Sequence, residues 1–182
     1  MCIRDSRLTG VNERLIMRKL TVGNMKTIPT YAEYAAENKG KTNNVDKSYV
    51  QKIQGEKSDR RSSPSLYATY DRTSGDTEYE DEKGNVTKHN TDKQVLNVIG
   101  GTQWKVAGDW LEWTTKVEKE GDYVIGIKGR QGYNRGYIAN RSLYIDGEVP
   151  FKEVAGLQFT YSNVWEMLCL QNDKGEAYKF LL

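Results

Sequence analysis

The sequence predicts an all-β sandwich preceded by one short helix, and three observations carry that prediction. From residue 95 onward, apolar and polar residues alternate with period two, the side-chain period of a half-buried strand. Turn signals at Glu120-Gly121-Asp122, Asp146-Gly147 and Asn172-Asp173-Lys174-Gly175 interrupt the alternation at strand-like intervals. No helical pattern stands between these strands, which argues for a sandwich of short antiparallel strands.

The elements follow in chain order. Met1-Cys2-Ile3-Arg4-Asp5-Ser6 resembles a translated sequencing adapter and is set apart from the fold. Residues 7–45 are expected as an N-terminal extension. Its first part, with Leu15, Ile16, Met17 and Leu20, fits a strand or a helix equally. Pro29 then precedes Thr30-Tyr31-Ala32-Glu33, a Thr-x-x-Glu capping box, and alanines follow. A helix is expected over about 31–38, with Gly40 able to end it.

Residues 46–182 are expected as the sandwich. Tyr49 to Ile53 can open a strand, residues 57–65 and 71–93 read as long polar loops, and 66–70 is strand-like. Leu111, Trp113, Thr115 and Val117 form one inward-facing set, and Tyr123, Ile125 and Ile127 form the next. Leu143 and Ile145 begin a strand that Asp146-Gly147 turns back. Val164 to Leu170 gives another, with Trp165, Met167 and Cys169 expected in the core. The run from Lys174 to Leu182 enters a strand-like stretch, and the sheet is expected to lack its last strand.

The totals exclude several functions. The 182 residues carry 27 basic and 25 acidic side chains, interspersed, for a net charge of +2. That is no electrostatic footprint for nucleic acid. No apolar stretch approaches the ~18 residues of a membrane span. Apart from Cys2 in the adapter-like segment, Cys169 is the one cysteine, expected as a buried inert thiol. His89 is the single histidine, expected solvated in a loop, so His-based metal sites are excluded. There is no phosphate-cradling glycine loop, Gly-x-Ser-x-Gly elbow or Cys-x-x-Cys pair, and the chain is not expected to be an enzyme.

The stretch Ala107-Gly108-Asp109-Trp110-Leu111-Glu112-Trp113, then Gly121-Asp122-Tyr123-Val124-Ile125, then Leu143-Tyr144-Ile145-Asp146-Gly147, resembles the galactose-binding-like jelly roll of carbohydrate-binding modules of the family 6 and 35 type. The longer run over about 29–182 resembles a domain of extracellular solute-binding lipoproteins of bacterial ABC transporters. It includes Pro29 to Tyr34, Ser65-Leu66-Tyr67, Ile99-Gly100-Gly101 and Arg141 through Phe151. The resemblance implies an antiparallel jelly-roll β-sandwich, an extracellular or cell-surface location, and a carbohydrate or glycan as partner. The transporter or neighbouring domains of the same chain are further possible partners.

Two departures from that pattern stand out. Ile53-Gln54-Gly55-Glu56 replaces the usual Ile-Glu-Ala-Glu, whose acids often help hold a structural calcium. Only Glu56 remains as a candidate ligand where calcium commonly needs six to eight oxygens, so no cofactor is expected. The path from Asn97 to Asp109 is also longer, which sets Trp104 in an enlarged loop.

The candidate site lies in loops. Sugars stack their C–H faces on indole or phenol rings while nearby polar groups fix the hydroxyls. Trp104 in its glycine-rich loop is one candidate; the alternative is a Trp capping the sandwich end. The loop Gln131-Gly132-Tyr133-Asn134-Arg135-Gly136-Tyr137 supplies Tyr133, Asn134, Arg135 and Tyr137. Arg130, Arg135 and Arg141 cluster with it in sequence. The alternative there is a solvated loop whose arginines pair with acids such as Glu112. A different class of function is a structural jelly roll that packs beside a solute-binding domain and has no sugar site.

Overall fold

The computed structural model describes residues 27–41, 48–75, 78–80, 83–90, 92–133 and 135–182. The expectations for residues 1–26 and for Asn134 lie outside these. Among the described residues the chain forms one α-helix, α1 (Tyr31–Glu37), and twelve short strands. These are β1 (Arg60–Arg61), β2 (Ala68–Thr69), β3 (Glu78–Glu80), β4 (Val86–Lys88), β5 (Val98–Ile99) and β6 (Leu111–Glu112), followed by β7 (Asp122–Tyr123), β8 (Gly126–Gly129), β9 (Ala139–Arg141), β10 (Leu157–Phe159), β11 (Glu166–Cys169) and β12 (Phe180–Leu181). The chain is therefore strand-dominated, as expected. No helix among the described residues is long and apolar enough to cross a membrane.

The ladders join strands only in antiparallel pairs: β1 with β6, β2 with β5, β3 with β4, β7 with β12, β8 with β11 and β9 with β10. Loop hydrogen bonds extend these pairs. Residues 121–129 are paired along most of their length by two successive pieces of the C-terminal segment. Gly121 and Leu182 exchange both backbone bonds, β7 meets β12, Leu170 N–H donates to Ile125 O, and β8 meets β11. The apolar run near the C-terminus is thus paired, and Phe180 within it has no exposed surface.

Phe151, Val154, Leu170, Tyr178 and Phe180 form the core, with Ile125, Ile127, Leu143, Ile145 and Leu168 packed against them. The alternation of Tyr123, Ile125 and Ile127 appears as expected, with Val124, Gly126 and Lys128 outward. Asp146 and Gly147 both take positive φ, 50° and 81°, and Ile145 and Glu148 exchange backbone bonds across them. That is the two-residue hairpin turn the Asp-Gly pair demands.

The capping box also forms. The Thr30 hydroxyl accepts from Glu33 N–H, and Glu33 returns the bond to Thr30 N–H at 2.7 Å. This helix is tied to the strand-rich segment that follows it. Tyr31 and Tyr34 set their rings 5.0 and 5.2 Å from Phe151. Their hydroxyls accept the backbone N–H of Lys179 and Leu181 at 3.1 and 2.9 Å. Each ring therefore buries an apolar body while its polar tip satisfies a strand donor.

Several expectations are corrected, and Cys169, expected in the core, is half-buried outside it. Met167 is 68% exposed and Leu168 faces the core instead. Met167 pairs with Lys128 and Leu168 with Ile127, so the ladder register sets the face. The run Met167-Leu168-Cys169-Leu170 is apolar throughout and carries no alternation from which to read that face. Trp165 is half-buried, donating its indole N–H to Thr73 Oγ1 at 3.2 Å, with the Arg130 guanidinium over its ring. The expected strand from 111 to 117 ends at Glu112, because the Asp59 carboxylate accepts Thr114 N–H in place of a strand carbonyl. Trp113 consequently borders an open cleft rather than the core. His89 is not free in solvent: it stacks on Tyr70 at 3.6 Å, and its Nδ1 accepts from Val95 N–H.

Candidate functional site

The two aromatic loops meet at one glycine turn. After β5 the chain passes through Gly100 and Gly101 with φ of 101° and 66°. L-residues with side chains rarely adopt such values. Space is tight there as well. A Cβ on Gly100 would lie 3.2 Å from the Trp104 ring, and one on Gly101 would lie 3.0 Å from the Tyr133 hydroxyl. The turn thus admits both rings, one against each glycine.

Trp104 is half-buried and fixed in place. Its indole N–H donates to Asp109 O at 3.0 Å, and its backbone N–H closes a tight turn onto Gly101 O. The Arg141 guanidinium lies 4.6 Å from the ring centroid, within cation–π range, and donates to Trp104 O at 3.0 Å and Asn140 O at 2.8 Å. Burial draws the Arg141 guanidinium below the usual arginine value. Two acceptors close by in sequence, Gln103 Oε1 and Asp109 Oδ2, are buried without a hydrogen-bond partner among the described residues. The other oxygen of Asp109 accepts from Ser62 Oγ.

Tyr133 and Tyr137 stand in a different setting, 60% and 74% exposed. One side-chain amide organises their loop. Gln131 Oε1 accepts Tyr133 N–H at 3.2 Å, and Gln131 Nε2 donates to Tyr137 O at 3.0 Å. The backbone of Gln131 is tied in turn to Ser162 N–H. Arg135 is exposed between the tyrosines. The sequence marks the aromatics and glycines, but nothing in it singles out Gln131 as the clasp.

The arginines that neighbour this loop in sequence separate in space. Arg130 pairs with Asp71 at 2.6 Å and donates to Thr73 Oγ1 at 2.9 Å. Burial works to raise the Asp71 carboxyl, but bonds from the Thr73 hydroxyl and amide and the Arg130 charge outweigh it and hold it below the usual range. Glu112 is paired with Arg60, not with this group. Glu56 is half-buried, and no three His, Cys, Asp or Glu side chains gather as a metal site among the described residues.

What the arrangement offers chemically is an exposed pair of phenols and a guanidinium on a clasped loop, beside an indole already covered by Arg141. No protein-family model matches the chain, and neither a curated protein nor a solved structure matches it.

Proposed function

We propose that this chain is a non-catalytic carbohydrate-binding-like domain of jelly-roll type from an exported bacterial protein, such as the solute-binding lipoprotein of an ABC transporter. The observation that carries the reading is the pair Tyr133 and Tyr137, largely exposed yet held in a loop clasped by Gln131. A platform ordered before the ligand arrives loses little freedom on binding. Arg135, exposed and between the two tyrosines in the sequence, adds donors for hydroxyl or carboxylate oxygens. Trp104 has the supporting part: its ring lies under Arg141 and holds the glycine turn on which Tyr133 rests.

The second reading is a structural jelly roll whose loops contact protein. Ile138, 50% exposed beside Tyr137, favours it, because an aliphatic side chain there suits a protein partner better than a sugar.

A glycan array separates the two. The first reading expects retention of at least one glycan, weakened about tenfold by Tyr137→Ala or Tyr133→Ala, in line with stacking and hydrogen-bond losses near 1.4 kcal/mol. Unchanged circular dichroism of the variants excludes unfolding. A folded protein that retains no glycan above background overturns the first reading and leaves the second.

A further inference from the structure

The cleft beside Trp113 is separate from the tyrosine loop. It lies between residues 51–54 and 113–115 and holds about 290 Å³. That is near the small end of the ~300–1,000 Å³ range of ligand clefts, room for one ring rather than a chain.

Its walls are joined across long sequence separations. Trp113 donates its indole N–H to Gly55 O at 3.0 Å, which fixes the ring against the opposite segment. Gln51 Nε2 donates to Thr115 Oγ1 at 2.5 Å, while Gln51 Oε1 accepts from the Tyr49 hydroxyl at 3.0 Å. Asp59 accepts Thr114 N–H. The bonds that shape the cleft are therefore in place without a ligand.

Lys52, Gln54 and Thr114 line the same space and have polar ends left over. The Lys52 ammonium, the Gln54 amide and the Thr114 hydroxyl enter no hydrogen bond among the described residues. An indole bordered by an amide, a hydroxyl and an ammonium suits a ring with apolar C–H faces and equatorial hydroxyls. We propose that this cleft is a second binding site, for a single sugar-sized polyhydroxylated ring, with Trp113 as the apolar contact and Gln54, Thr114 and Lys52 as hydrogen-bonding partners. It does not depend on the tyrosine loop binding anything.

The test is a titration of nitrogen-labelled protein with glucose, galactose, mannose and xylose, followed by NMR. The Trp113 indole resonance is assigned by its disappearance in Trp113→Phe. With at least one sugar, that resonance and the Thr114 and Gln54 signals shift saturably. Gln54→Ala, an exposed change that leaves the fold intact, weakens binding about fivefold, the loss of one hydrogen bond. Tyr137→Ala leaves it unchanged. Absence of a saturable shift at Trp113 with all four sugars overturns the proposal, as does binding equally tight in Gln54→Ala. Shifts confined to residues 131–137 overturn it while keeping the glycan reading of the tyrosine loop.

Discussion

The core around Phe151 and the turn at Gly100–Gly101 are both built from aromatic rings, and they use them in opposite ways. In the core, Phe151 and Phe180 have no exposed surface and Tyr178 has 7%. Tyr31 and Tyr34 close over them from the helix, with their hydroxyls taken up by strand amides. At the glycine turn, Trp104 is half-buried under a guanidinium and Tyr133 and Tyr137 face water. Burial is non-directional and scales with apolar area, whereas the bonds that hold the turn are few and directional. Stability should therefore sit in the first region and binding in the second.

Breaking the core gives the largest effect. Phe151→Ala removes a ring that touches Tyr31, Tyr34, Tyr178 and Phe180, and ~3–5 kcal/mol of stability should be lost in urea unfolding. The same measurement on Tyr137→Ala should move by no more than ~0.5 kcal/mol. Equal losses at the two positions would erase the distinction between the regions.

An intermediate effect is expected where the two styles meet. The Asp71–Arg130 pair is polar but mostly sheltered, its side chains 18% and 22% exposed. Asp71→Asn leaves Arg130 without its charge partner and should destabilise by ~1–3 kcal/mol. The pH dependence has a definite sign. The folded Asp71 carboxyl is held below its unfolded value, so its contribution is present above the unfolded carboxylate pKa. It is lost as pH falls through the lower, folded value. Stability curves across the acid range should thus be flatter for Asp71→Asn than for the parent; parallel curves would show that the pair contributes nothing.

A smaller effect concerns the helix that lids the core. Thr30→Ala removes the cap and should cost ~1 kcal/mol of helix stability. The amides of Lys179 and Leu181, which donate to Tyr31 and Tyr34, should then exchange with solvent about fivefold faster. Unaltered exchange would mean that the tyrosines dock independently of the cap.

Parts of this architecture are legible in the sequence alone. Thr30 and Glu33 lie three residues apart, and their reciprocal bonds depend only on that spacing. Asp146-Gly147 likewise carries its turn in its own backbone preference. Tyr123, Ile125 and Ile127 were readable because Asp122, Gly126 and Lys128 mark the outward parity, with Val124 the one apolar residue on that side. Met167 and Leu168 were not, because neighbours of equal hydrophobicity leave the choice of face to the partner strand. Trp104 and Tyr133 were visible as candidates, but their shared footing on two glycines was not.

What the sequence by itself determined is local: one capped helix, the tight turns, the alternating strands and hence a β-dominated chain with named aromatic loops. Bonds and steric limits within a few residues suffice for those. Only the tertiary structure decided that Arg130 leaves the tyrosine loop for Asp71, 59 residues away, that Arg141 covers Trp104, and that Trp113 borders a cleft instead of the core. Each of those outcomes depends on which distant groups arrive at one place, and chain closure over such separations is set by the packing of the whole, not by the identity of the residue alone.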